Sequence, residues 1–84
     1  MRKPRKIGLS RVQSRVLRLL EEAGDEDVPT LVATVKVSEG ELLGEIEALE
    51  RLGYVCRETF RGIGGEQALV ILTAMGRAAL TAHS

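Results

Sequence analysis

The chain has 84 residues, 44% apolar and 29% charged, which excludes a disordered tail and sets the scale of one small domain around one core. Twelve Lys and Arg balance twelve Asp and Glu, and no apolar run reaches the roughly 18 residues that a membrane helix needs, so no membrane partner is expected. The single cysteine cannot form an internal disulfide, and the charged N-terminus lacks the apolar stretch of a signal peptide, so the expected setting is the cytoplasm.

The zero net charge hides a segregation. Residues 1–20 carry seven cations and no acid, residues 21–50 carry ten acids against Lys36 alone, and residues 51–84 carry four cations against two acids. A dipolar chain of this kind can hold a polyanion at one end and repel it elsewhere; a solvated surface with a basic tail explains the same pattern. Residues 1–9 read as a flexible basic arm, because Pro4 and Gly8 discourage a helix and Arg2, Lys3, Arg5 and Lys6 repel one another. Ser10 and Gln13 have the spacing of a capping box that opens a first helix. Its apolar stripe is Val12, Val16, Leu19, Leu20 and Ala23, with Arg11, Arg15 and Arg18 on a neighbouring face and Gly24 as the stop.

A short second helix is expected from Asp27, with Pro29 in its first turn and Leu31, Val32 and Val35 on its apolar side. The valine-rich stretch that follows Leu31 also suits a strand. A helix is favoured by what comes next: Ser38-Glu39-Gly40-Glu41 reads as a capping box for a third helix, with Leu42, Leu43, Ile46, Leu49 and Leu52 at helical spacing and Gly53 as its end. Two helices joined by so short a turn form a helix-turn-helix. The period then changes to two. Residues 54–60 and 67–73 read as the strands of a hairpin with a glycine-rich tip, and Cys56 within the first strand is expected to be a small buried apolar side chain. Thr73 can cap a last helix whose apolar face is Met75, Ala78, Ala79 and Ala82.

The fold class that follows is α+β, mainly α: a winged helix-turn-helix over residues 10–82, with a three-helix core, a two-stranded β-hairpin wing and a short C-terminal helix. Two stretches carry a resemblance to a known family. Leu49-Glu50-Arg51-Leu52-Gly53-Tyr54-Val55, and after the hairpin Leu72-Thr73-Ala74-Met75-Gly76-Arg77, resemble the winged-helix transcriptional regulators of the MarR and PadR type. The resemblance spans residues 10–80 and rests on structural motifs, which speak to fold more than to ligand. It implies double-stranded DNA as partner, with the third helix in the major groove and the wing on the backbone or minor groove. Those families carry longer dimerisation helices outside the winged core, and a homodimer on a two-fold site is the expected assembly.

The residues that the resemblance nominates are Ser38, Glu39, Gly40, Leu43, Gly44 and Glu47 on the third helix; Thr30 on the second helix and the cation Lys36 in the turn join them as candidate DNA contacts. Arg57 and Arg61 flank the wing, and Arg2, Lys3, Arg5 and Lys6 of the arm suit phosphates or an A·T-rich minor groove. The helix set lacks the Arg, Lys, Asn or Gln that reads purine edges. Its glutamates would face a polyanion, can accept from a cytosine amino group, or serve only the positive end of the helix dipole. Gly40, Gly44 and Ala48 make a ridge of small residues that either admits another backbone or simply packs against nothing. The rival reading follows from the acids: a winged helix that meets a basic or helical protein partner through the third helix. No residue set suggests an enzyme, a cofactor or a metal. His83 stands without a nucleophile or acid placed beside it, and the glycine-rich tip lacks the Lys and Ser/Thr of a phosphate loop.

Overall fold

The computed structural model describes residues 9–83. Four helices and three strands follow in the order α1 (Arg11–Ala23), β1 (Glu26–Asp27), α2 (Val28–Val35), α3 (Glu39–Arg51), β2 (Val55–Gly62), β3 (Gly65–Leu72) and α4 (Ala74–His83). The winged helix-turn-helix expected from the sequence is the observed fold. One element was not expected: β1, two residues long, pairs antiparallel with β3 through Glu26 opposite Val70 and Asp27 opposite Leu69. The sheet is therefore three-stranded, in the order β1-β3-β2. A two-residue strand has no periodicity to detect, so only its partner defines it.

The helix starts are set locally. Ser10 Oγ accepts from the Gln13 N–H at 3.1 Å while Gln13 Oε1 accepts from the Ser10 N–H at 3.0 Å, so both halves of the first capping box form. Asp27 caps α2 by accepting from the Thr30 N–H at 2.8 Å, and Ser38 caps α3 by accepting from the Glu41 N–H at 3.1 Å. Glycine ends α3. With φ at 82°, Gly53 donates to the Glu50 carbonyl and Tyr54 to the Leu49 carbonyl, both at 2.9 Å, the paired bonds of a Schellman motif.

The core is formed by Val16, Leu17 and Leu20 of α1, Val28, Leu31 and Val35 of α2, and Leu42, Ile46 and Leu49 of α3, closed by Val55, Val70 and Leu80. Several side chains sit elsewhere than the periodicity suggests. Leu17 is fully buried and Ala23 exposed: α1 is packed by α4 as well as by α3 and β3, so the side they cover is not the stripe that spacing alone suggests. Leu52 is exposed although its spacing continues the apolar side of α3: it is the C-cap residue, and the chain leaves the helix at the next residue, Gly53, with φ 82°. Cys56 is exposed, correcting the expectation of a buried thiol; Val55 takes the core side of β2, so strand alternation turns Cys56 to the open face.

The last helix packs differently from its predicted stripe. Met75, Ala78 and Ala82 are exposed and Ala79 is half-buried, while Gly76 and Leu80 face inward. The cause is a tight joint where the sheet meets α4. Thr73 Oγ1 donates to the Gly53 carbonyl at 2.7 Å and accepts from the Gly76 N–H at 3.0 Å, and the Thr73 N–H donates to the Tyr54 carbonyl at 3.0 Å. This draws Gly76 against Tyr54 so closely that any Cβ would collide with the Tyr54 carbonyl oxygen and lie 2.7 Å from Leu72 Cδ1. The Leu-Thr-x-x-Gly pattern is thus a packing requirement.

Candidate nucleic-acid interface

The turn between α2 and α3 is three residues long, Lys36-Val37-Ser38, and its geometry rests on Lys36. Lys36 is the C-cap of α2 with φ 67° and ψ 48°, the left-handed region, and it is the sole non-glycine residue with positive φ among the described residues. Its N–H closes the helix on the Val32 carbonyl at 2.9 Å, and its side chain is exposed. A lysine in this conformation costs about 1 kcal/mol or more that a glycine would not.

On α3, the side opposite the core residues Leu42, Ile46 and Leu49 carries Gly40, Gly44, Glu47 and Arg51, repeating every three or four residues and all exposed. A Cβ added at Gly40 or Gly44 would meet nothing within 4 Å, so no other part of the described chain occupies the ridge. Ala48, the third small residue, is half-buried. Ser38 and Glu39 are exposed at the head of the helix, whereas Leu43 is half-buried against the core and departs from the nominated surface. Arg51 is an addition. It lies in the last turn, and its place on the glycine face follows from the 3.6-residue period.

Two acids of α3 are committed inside the molecule. Glu45 Oε1 accepts from Gln13 Nε2 at 2.9 Å, tying α3 to α1. Glu50 binds Arg57 in a two-pronged pair: Nε to Oε2 at 3.1 Å and Nη2 to Oε1 at 2.8 Å. Hydrogen bonding to Glu50 raises the Arg57 pKa further, against a small opposing effect of burial. Arg57 is therefore a strut between the end of α3 and the base of the wing. Sequence spacing hid both links, because Gln13 and Glu45 stand 32 residues apart and Glu50 and Arg57 face each other across the helix end. Glu39, Glu41 and Glu47 remain exposed.

The wing projects from the core. Only Val55 of β2 is buried, and pairing continues past Arg61 opposite Glu66 to Gly62 opposite Gly65. Arg61 is exposed near the tip. Thr30 is exposed on the first turn of α2, but its hydroxyl and amide both bond Asp27, which holds that carboxyl below its ordinary value of 3.8. Arg2, Lys3, Arg5 and Lys6 lie outside the described residues, as does the side chain of His83. Among the described residues, no group of three or more His, Cys, Asp and Glu side chains is placed to hold a metal, and no helix is long and apolar enough to cross a membrane.

A helix-turn-helix followed by a two-stranded wing and a closing helix defines the winged-helix class. Solved structures give the comparison a name. BpsR of Bordetella bronchiseptica, whose DNA binding is regulated by 6-hydroxynicotinic acid, superposes with a TM-score of 0.80 at 25% identity, over 92% of this chain and 53% of its own. A MarR-family transcriptional regulator of Silicibacter pomeroyi gives 0.77 at 27% identity, over 88% of this chain and 49% of its own. The regulator Tm0710 of Thermotoga maritima, at 18% identity, shares the fold with a TM-score of 0.78, over 87% of this chain and 51% of its own. The protein is a winged-helix domain similar to MarR-family transcriptional regulators, and it spans about half the length of the solved chains it matches. No family model and no curated protein sequence matches it.

Proposed function

We propose that this chain binds duplex DNA as a transcriptional regulator, with α3 in the major groove, the wing against the backbone or minor groove, and the basic arm on phosphates. The observation that carries this reading is the bare outward face of α3, with Gly40 and Gly44 open to the approach of another backbone. Ser38 caps the start of α3, Thr30 is exposed in the first turn of α2, and Lys36 sits in the turn between the two helices. Arg61 supplies the cation of the wing, and Arg51 extends the helix surface. Arg57 contributes to the extent that Glu50 releases it. Arg2, Lys3, Arg5 and Lys6 bring a concentrated charge that tracks phosphates without reading sequence. Because the outward face of α3 offers few base-reading groups, affinity comes mainly from phosphates and fit. The protein acts as a homodimer on a two-fold site.

A second reading is favoured by Glu39, Glu41 and Glu47, which stay exposed on α3 and suit a basic protein partner. Fluorescence anisotropy separates the two. The full chain and a form lacking residues 1–6 are titrated with a mixed-sequence duplex at low and at physiological salt. Binding that falls with salt and with loss of the arm is the expected result. Failure of both forms to bind at low salt rejects the DNA reading in favour of a protein partner at α3.

A further inference from the structure

The wing ends in a feature that the hairpin itself does not require. With Gly62 paired to Gly65, the turn consists of Ile63 and Gly64, and Gly65 adopts φ 105°. Glycine is demanded at position 65, but position 63 takes most residues, and turns favour polar ones whose side chains remain hydrated. This chain instead places an isoleucine there with its whole side chain in solvent. Phe60, 42% exposed, lies beside the tip: a Cβ at Gly62 would stand 3.9 Å from Phe60 Cε2. The result is an apolar point backed by an aromatic ring, with Arg61 exposed just behind it. Glycines at 62, 64 and 65 leave no other side chain to widen the point. Paired strands stand about 4.8 Å apart axis to axis, and with the van der Waals radii of their backbones they exceed the roughly 6 Å minor groove, so what can enter it is the single side chain at the point.

Resting on the DNA-binding reading above, we propose that Ile63 is a specificity-determining residue that enters the minor groove and discriminates against guanine. At A·T pairs the floor of that groove carries acceptors alone, while a G·C pair adds the guanine N2 amino donor. An isoleucine laid over that amino group removes its water and accepts nothing from it, leaving a donor unpaired at a free-energy cost. Over A·T pairs the same side chain meets no projecting group and packs against the groove walls, and apolar side chains entering this groove are a known means of holding DNA. Arg61, exposed two residues before Ile63, offers a cation to the flanking phosphates, which would fix the wing without reading the base.

The test uses three alternating duplexes of equal length: A·T, G·C and inosine·cytosine. The inosine duplex presents the major groove of G·C and the minor groove of A·T, so the guanine amino group is the chemical difference between it and G·C. The wild-type protein is expected to bind the inosine and A·T duplexes at least about fivefold more tightly than G·C, the lower end of what one disfavoured base pair brings. Ile63→Ser is expected to bring the inosine-to-G·C ratio close to one, and Ile63→Val to retain it. Position 63 is fully exposed, so both variants keep the core intact. Equal binding of the inosine and G·C duplexes by the wild type, or a preference that survives Ile63→Ser, overturns the proposal. Absence of binding to every duplex overturns the DNA reading itself and this proposal with it.

Discussion

Gly76 and Lys36 carry opposite messages about what a single residue does here. Gly76 is held against the Tyr54 carbonyl by the Thr73 hydrogen bonds, so Gly76→Ala forces the joint between sheet and α4 apart. The expected loss is about 1–3 kcal/mol, typical of overpacking, read as a lower urea midpoint with an unchanged slope. At Lys36 the backbone prefers glycine and the chain keeps a cation. Lys36→Gly relieves the left-handed strain at some cost in unfolded-state entropy, for a net gain of about 0.5–1 kcal/mol, while weakening DNA binding. Urea unfolding and anisotropy on the same variant check both signs. Asp27 sets an acid limit. Its folded pKa lies below the unfolded value of 3.8, so its cap contributes fully above that pH and is lost as pH falls through the folded value. Asp27→Asn retains a capping oxygen and removes this part of the acid loss, which thermal unfolding followed from about pH 4 down to about pH 2, compared with pH 7, detects.

Among the elements, α3 and β2 are joined by the Glu50–Arg57 pair, which is two-thirds shielded on both sides. Its geometry is two-pronged, but its exposure limits its contribution to about 1 kcal/mol or less. Glu50→Gln is therefore expected to cost little stability while releasing Arg57 toward phosphate. The predicted consequence is tighter DNA binding, with the slope of log K against log salt steeper by about 0.9. Unchanged affinity would show that Arg57 serves the fold alone. Element boundaries were legible where local chemistry decides them: the caps at Ser10, Asp27 and Ser38 and the glycine stop at Gly53 all stand where the sequence puts them. Element faces were less so. Leu17, Leu52 and Cys56 took the opposite exposure because which neighbours cover a helix or strand is not encoded in its own period.

For the whole molecule, the decisive property is how charge is distributed over the fold. The sequence alone shows blocks of seven cations, a net excess of nine acids and a net excess of two cations. Folding changes what those acids do: Glu45 and Glu50 are turned to Gln13 and Arg57, and the outward face of α3 keeps Gly40 and Gly44 uncovered. If about five cations of the arm, turn and wing meet phosphates, the full chain has a salt slope near −4.5. Removal of residues 1–6, with Arg2, Lys3, Arg5 and Lys6, takes away most of that slope. A slope unaffected by the truncation would move the phosphate contacts from the arm to the folded domain.

The sequence by itself determined the order of helices and hairpin, the N-cap of each helix and the motif residues Gly53, Thr73 and Gly76. Each of these depends on interactions within a few residues, or on a period that a linear pattern preserves. Tertiary structure alone decided the pairing of β1 with β3, the close contact that makes Gly76 obligatory, the partners of Glu45 and Glu50 and the exposure of Ile63. Those features arise between segments that meet only after the chain has folded, where distance along the sequence no longer measures distance in space.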